Sequence, residues 1–262
     1  MLLACLFGCS NSDTKPEGGD EPQTEKTLLE QIRERGYIIV CTEGTYFPNS
    51  YHNENDELVG FDVEVAALIA KHLGVEVRYL ETEWASIFTA LDSGKIDIIV
   101  NECGYNEERA QKYDFSNPYT YVPSAILTRN DNTDINSLED LEGKVAANEA
   151  TSLLGELALQ YGATLDAVNA MAQSVTEVVN GRADCTLNYV TSLSAYMKMN
   201  PDAPVKIAYI NNDGRPTSYI PALKGNQDLI DEINAALKQA QESGELAAIS
   251  EKYFDTDVTK GS

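Results

Sequence analysis

Positive charge is scarce in this chain: 19 lysines and arginines stand against 42 aspartates and glutamates, a formal net charge of −23. A surface of that sign repels polyphosphate and anionic lipid headgroups, so nucleic acid is not an expected partner. Long hydrophobic runs are missing as well; none approaches the roughly 18 to 20 consecutive apolar residues that a spanning helix needs. Histidine is limited to His52, in a polar turn, and His72, near a helix end, neither placed for catalysis. The cysteines show no Cys-x-x-Cys and no Cys/His ligand spacing, which leaves metal and redox readings without a motif. Nor is there a Gly-x-Gly-x-x-Gly, a phosphate loop or a His-Glu-x-x-His. No cofactor, no metal site and no catalytic residue is expected.

What is present is enough apolar content, 43% hydrophobic residues over 262, to fill more than one core. That length exceeds what a single core usually organises and predicts two domains. Ahead of them, the first nine residues form an apolar run ending in Gly8-Cys9 that is similar to the tail of a lipoprotein signal. Cys9 is the expected lipid anchor and Cys5 a second candidate. Residues 10–26 contain no apolar side chain and cannot offset the entropy of ordering, so they read as a tether with a root-mean-square span of roughly 20 to 25 Å.

From residue 27 onward, short β-branched runs alternate with helical patterns, the signature of a parallel sheet covered by helices, and the fold class is α/β. The strand candidates are residues 37–41, 75–80, 97–100, 124–128, 145–147, 184–187 and 205–209. Residues 61–73 read as a helix closed by Gly74, and 227–240 as the last long helix. One internal echo bears on architecture: Ser93-Gly94-Lys95-Ile96-Asp97 and its apolar continuation resemble Asn180-Gly181-Arg182-Ala183-Asp184. A helix end, a glycine, a basic residue and an aspartate lead into a strand each time. Two similar lobes are implied, the first of residues 27–122 with 218–262 and the second of residues 123–217, joined by two crossings that make a hinge.

Four polar clusters follow strand candidates: Glu43 to Tyr46, Asn101 to Gly104, Asn148 to Ser152, and Asn188 with Tyr189. Ligands of open parallel sheets bind outside the carboxyl ends of strands, so all four point into one crevice between the lobes. Cys41 and Cys103 each close a strand of the first lobe. They are the pair to test for a disulfide, with buried free thiols as the competing reading, and Cys185 stands apart.

Glu43-Gly44-Thr45-Tyr46-x-Pro48, Gly60-Phe61-Asp62-Val63, Glu108-Arg109, Tyr113-Asp114-Phe115-Ser116 and Pro118-Tyr119 occur in that order. With them the chain resembles the bacterial extracellular solute-binding proteins of the polar amino-acid family, over residues 27–259, and within that family the cystine-binding branch. The resemblance implies a two-lobed, type II periplasmic-binding-protein-like clam-shell that captures a small polar amino acid or amino-acid-like ligand between closing lobes. It also implies an extracytoplasmic protein, lipid-anchored on the outer face of the membrane or periplasmic. The partners would be the membrane subunits of an ABC importer, and the protein itself is expected to be a monomer.

The same resemblance distributes roles. Arg109 holds the ligand carboxylate, for which a planar guanidinium fork is suited; the bland alternative is a surface arginine paired with Glu107 or Glu108. Asn106 would cap the short helix that carries it. Tyr46 and Trp84 form an aromatic wall, and Thr151 with Ser152 closes from the second lobe. Cys103 and Gly104 lie in the ligand-facing segment. Three departures weigh on the choice of ligand: Gly104 replaces a hydroxyl residue, Ala150 a glycine, and Tyr189 the aspartate that receives the α-ammonium. Glu43, Glu102 and Glu149 are candidate replacements, with Glu102 preferred, unless Glu102 pairs with Arg109. The competing function is a cleft enzyme of the cyclohexadienyl dehydratase type, in which Glu102 or Glu43 would act as general acid or base.

Overall fold

A computed structural model describes residues 26–213 and 217–261; the signal-like run 1–9 with its Cys5 and Cys9, and the expected tether up to residue 25, lie outside the described residues. Thr27 opens the first helix, α1 (Leu28–Arg35), with a capping box: its hydroxyl accepts from Glu30 N and the Glu30 carboxylate accepts from Thr27 N. There follow β1 (Tyr37–Thr42), the short strands β2 (Thr45–Tyr46), β3 (Ser50–His52) and β4 (Leu58–Val59), then α2 (Phe61–Leu73), β5 (Glu76–Glu81), α3 (Trp84–Asp92), β6 (Ile98–Ile99), α4 (Glu107–Lys112) and β7 (Tyr113–Phe115). The second half comprises β8 (Ser124–Arg129), β9 (Val145–Asn148), α5 (Leu153–Gln160), β10 (Thr164–Ala167), α6 (Met171–Val179), β11 (Cys185–Tyr189), α7 (Val190–Met199) and β12 (Val205–Asn211). The chain then returns through β13 (Pro221–Leu223), α8 (Gln227–Ser243) and α9 (Glu245–Phe254).

These strands form two five-stranded sheets, β5-β1-β6-β13-β7 and β10-β9-β11-β8-β12, and a small antiparallel sheet β2-β3-β4. The chain passes from the first large sheet to the second between Phe115 and Ser124 and back between Asn211 and Pro221. The two passages bond to one another: Thr217 N donates to the Thr120 carbonyl and Tyr119 N to the Ser218 carbonyl, both at 3.0 Å, and the Thr120 and Ser218 hydroxyls are in contact.

Within each large sheet three strands are parallel, β5, β1 and β6 in one and β10, β9 and β11 in the other. The sheets are mixed rather than wholly parallel, because β13 and β7, like β8 and β12, run antiparallel to their neighbours. The reason is where the chain enters. β8 starts at the crossing, on the side of the second sheet where β9 and β11 end, so it runs away from the crevice while they run toward it.

Strand periodicity divides each lobe into two cores. Along β1, Ile38 and Val40 pack with α2, α8 and α9, whereas Cys41 joins Ile87, Leu91 and Ile99 against α3 on the other face. Along β8, Ala125 and Leu127 face one core and Ile126 the opposite one. Cys41, Cys103 and Cys185 are buried free thiols, so the structure contains no Cys41–Cys103 disulfide.

The internal sequence echo acquires a physical meaning here. The Asp97 carboxylate accepts from Ile39 N at 2.7 Å, while Asp97 N donates to the Ile39 carbonyl at 2.9 Å. Asp184 repeats this on Val145, with both bonds at 2.8 Å. Each aspartate follows a glycine in the left-handed region, Gly94 at φ 67° and Gly181 at φ 71°, which turns the chain from helix to strand. The expected strand 97–100 is regular only over Ile98–Ile99, although Asp97 N and Val100 N still donate to the Ile39 and Cys41 carbonyls of β1.

Asp97 also pairs with Arg35 and is only 4% exposed. Asp97→Ala strips the acceptor from Ile39 N and leaves Arg35 without its carboxylate. Urea denaturation is expected to show a loss of about 1.5 to 3 kcal/mol, the range for a hydrogen bond to a charged group, with Asp97→Asn recovering part of it.

Candidate functional site

The carboxyl ends of β1, β6, β9 and β11 meet across the crevice. Glu43, Asn101, Glu102, Asn148, Glu149, Asn188 and Tyr189 emerge there, and with Tyr46, Trp84, Gly104, Arg109 and residues 152–154 they line a small cavity, partly open to solvent. Most of the residues singled out from sequence are thus brought together. Two are not. Cys103 is fully buried behind the wall, where burial pushes its thiol up to about 11. Thr151 is exposed and outside the lining, and it meets the site through its backbone carbonyl alone.

Arg109 sits in the first turns of α4, whose N-cap is Asn106: the Asn106 side chain accepts from Arg109 N at 2.8 Å. The guanidinium carbon lies 4.8 Å from the Phe88 ring centroid and 5.5 Å from that of Trp84. Its N–H groups donate to the Gly104 carbonyl at 2.8 Å and, across the crevice, to the Thr151 carbonyl at 2.9 Å. No carboxylate pairs with it among the described residues, neither Glu107 and Glu108 nor Glu102. Gly104 lets the lobes approach this closely: a Cβ there would stand 2.5 Å from Leu153 Cδ1 on α5.

Ser152 caps α5, its hydroxyl accepting from Gly155 N at 3.0 Å and donating to the Glu149 carbonyl at 2.8 Å. The hydroxyl expected to reach a ligand is therefore engaged in starting the helix. Trp84 is 8% exposed, and its indole N–H has no hydrogen-bond partner.

The acids differ in their surroundings. Glu43 receives Asn101 Nδ2 at 2.7 Å, and burial, with Glu149 facing it, lifts its carboxyl to about 7. Burial also raises Glu149. Glu102 is 7% exposed and holds a left-handed backbone, φ 45°, rare for a side chain of its size. Its N–H donates to Asp62 Oδ2 at 2.8 Å, and its Oε2 lies 2.5 Å from the Tyr46 hydroxyl and 3.2 Å from Asn49 Nδ2. Burial lifts its carboxyl to about 8 and that of Asp62, which accepts from Tyr119, to about 7.

The lobes touch through this group. The Tyr46 hydroxyl is 2.8 Å from Asn188 Oδ1 and 3.2 Å from Ser192 Oγ, and Asn49 Nδ2 donates to Ser192 at 3.1 Å. Asn49, Phe88 and Ser192 escaped the sequence reading. Ser192 stands three residues beyond Tyr189, on the first turn of α7, and that spacing was the available signal. His52 and His72 lie outside the crevice, bonded to Glu81 and to Gln239.

Known proteins share this chain and this shape. The sequence profile of the bacterial extracellular solute-binding proteins, family 3, matches residues 38–256. The L-cystine-binding protein TcyA of Bacillus subtilis (strain 168) is 38% identical over 261 residues, covering 99% of this chain and 94% of that protein. An ancestral arginine-binding protein bound to arginine has 36% identity and a TM-score of 0.78, over 84% of this chain and 99% of its own. The L-cystine solute receptor of Neisseria gonorrhoeae, unliganded and open, has 35% identity and a TM-score of 0.62, over 90% of this chain and 100% of its own. A rigid superposition is lowered by any difference in lobe angle, and the lobes here are in contact. These relatives are binding proteins, which favours solute binding over the dehydratase alternative. A profile match across most of the chain and a relative aligned over nearly all of it lead to one conclusion: the chain belongs to the bacterial extracellular solute-binding proteins, family 3.

Proposed function

We propose that the protein captures a polar α-amino acid between its lobes, with Arg109 receiving the carboxylate, and presents it to the membrane subunits of an ABC importer. The observation that carries this reading is the charge pattern of the cavity: Arg109 is the cation and Glu43, Glu102 and Glu149 are the acids among its lining residues. A zwitterion is the complement of such a wall. The guanidinium now lends its N–H groups to backbone carbonyls, and a ligand carboxylate offers a bidentate, charge-assisted pair in their place. The unpartnered indole N–H of Trp84 is a further donor for a ligand oxygen.

The ammonium needs an acid, because a cation left unpaired in a desolvated cleft is costly. Tyr189 supplies none. Glu102 has Tyr46 and Asn49 on its carboxylate, so Glu43 and Glu149, one from each lobe, are the better counter-charges. Cystine is the first ligand to test, since TcyA is named for it, and arginine the second. The family is extracellular; a lipid on Cys9 and the polar stretch behind it are the proposed means of holding a monomeric body near the importer.

Titration calorimetry with L-cystine and L-arginine checks the carboxylate contact. Arg109→Ala is expected to weaken whichever ligand binds by about 2 to 5 kcal/mol, the range for breaking a buried charge pair. An unchanged dissociation constant sinks the reading. Glu149→Gln is expected to weaken the amino acid by roughly tenfold, a charge-pair effect of about 1.4 kcal/mol, and to leave its des-amino analogue unaffected. Equal losses for both would remove Glu149 from the ammonium contact.

A further inference from the structure

Tyr46 has one hydroxyl proton, and the closed lobes give it two acceptors: Glu102 Oε2 at 2.5 Å and Asn188 Oδ1 at 2.8 Å. The Asn188 amide cannot be turned to relieve the conflict. Its Oδ1 also accepts from Tyr189 N at 2.7 Å, and a turned amide would set NH2 against that N–H. Ser192 Oγ lies 3.2 Å from the Tyr46 oxygen, and its hydroxyl can donate there or to the Glu102 carboxylate. If Glu102 is ionised, one short contact joins two acceptors. If Glu102 is protonated, every bond is satisfied: Glu102 Oε2–H donates to Tyr46, Ser192 donates to Tyr46, and Tyr46 donates to Asn188.

We infer that Glu102 is a proton site of the closed form, and that lobe closure takes up a proton there. The inference rests on the capture reading only in taking the lobes to open and close. Asn188 and Ser192 belong to the second lobe, whereas Tyr46, Asn49 and Glu102 belong to the first. When the lobes part, Tyr46 loses both second-lobe partners and turns its proton to Glu102. The carboxyl then releases its own proton to solvent, so one proton leaves per opening.

The electrostatic surroundings agree with the bookkeeping. Asp62 on α2 faces Glu102 and raises it, Tyr119 and Tyr189 flank it as neutral phenols, and Glu43 and Glu149 add negative charge to the same cavity, opposed by Arg109. Burial is the largest cause and lifts the carboxyl to about 8 in the closed form, against the hydrogen bonds of Tyr46, Ser192 and Asn49, which lower it. The sign follows. A carboxyl whose pKa is higher closed than open favours closure at low pH, and that preference fades as pH rises through the closed-state value.

The test uses the ligand-free full chain, so amino-acid binding does not enter the readout. Small-angle scattering from about pH 5 to about pH 9 is expected to show the lobes opening as pH rises, by up to about tenfold in the open-to-closed ratio per pH unit for one proton. Glu102→Gln, whose amide donates to Tyr46 at any pH, is expected to flatten the profile. Tyr46→Phe, which removes the shared hydroxyl, should flatten it as well. Glu54→Gln, at an exposed acid between β3 and β4 and outside the cavity lining, should keep the slope. A flat wild-type profile, or the same slope in Glu102→Gln and Tyr46→Phe as in wild type, overturns the inference.

Discussion

Two aspartates, Asp97 buried and Asp184 half-buried, hold the architecture in place. Asp97 and Asp184 each take both polar groups of a residue at the base of the neighbouring parallel strand, Ile39 and Val145. An acceptor at that point fixes the register of β6 on β1 and of β11 on β9, and register decides which side chains emerge at the far end. Glu43, Asn101, Glu149 and Asn188 face one another because the strands that carry them are locked at the opposite end. The cleft is in this sense built from below.

Closing that cleft is an electrostatic problem. Among its lining residues, three acids and one arginine are drawn together out of water. The molecule meets the cost in different ways at different acids. Burial and the neighbouring Asp62 raise the Glu102 carboxyl against the hydrogen bonds of Tyr46, Ser192 and Asn49, while Glu43 is held by Asn101 and faces Glu149 across the gap. Arg109 is steadied by two aromatic rings and two carbonyls, partners that orient a guanidinium without neutralising it. A site so arranged is poised for a ligand that brings both signs of charge.

The contact between lobes is correspondingly polar. Tyr46, Asn49, Asn188 and Ser192 bridge the crevice with hydrogen bonds rather than apolar packing. Polar interfaces between domains open more readily than hydrophobic ones, which suits a protein that must release what it captures. The paired passages at Thr120 and Ser218 keep the two lobes together through such a motion.

Fold class and the position of the crevice were legible in the sequence, because both follow from local pattern: alternation of strand and helix periods, glycine turns before Asp97 and Asp184, and polar residues just after apolar strands. The roles of Arg109, Tyr46 and Trp84 came instead from the resemblance to the solute-binding family, which local pattern alone does not supply. Tertiary structure alone decided what each polar group does. That Cys103 faces a core, that Thr151 offers a carbonyl, that Ser152 caps a helix, and that Tyr46 is shared between Glu102 and Asn188 all depend on atoms distant in the chain. A hydrogen bond needs its partner within about 3 Å, and no local periodicity carries that distance across 142 residues.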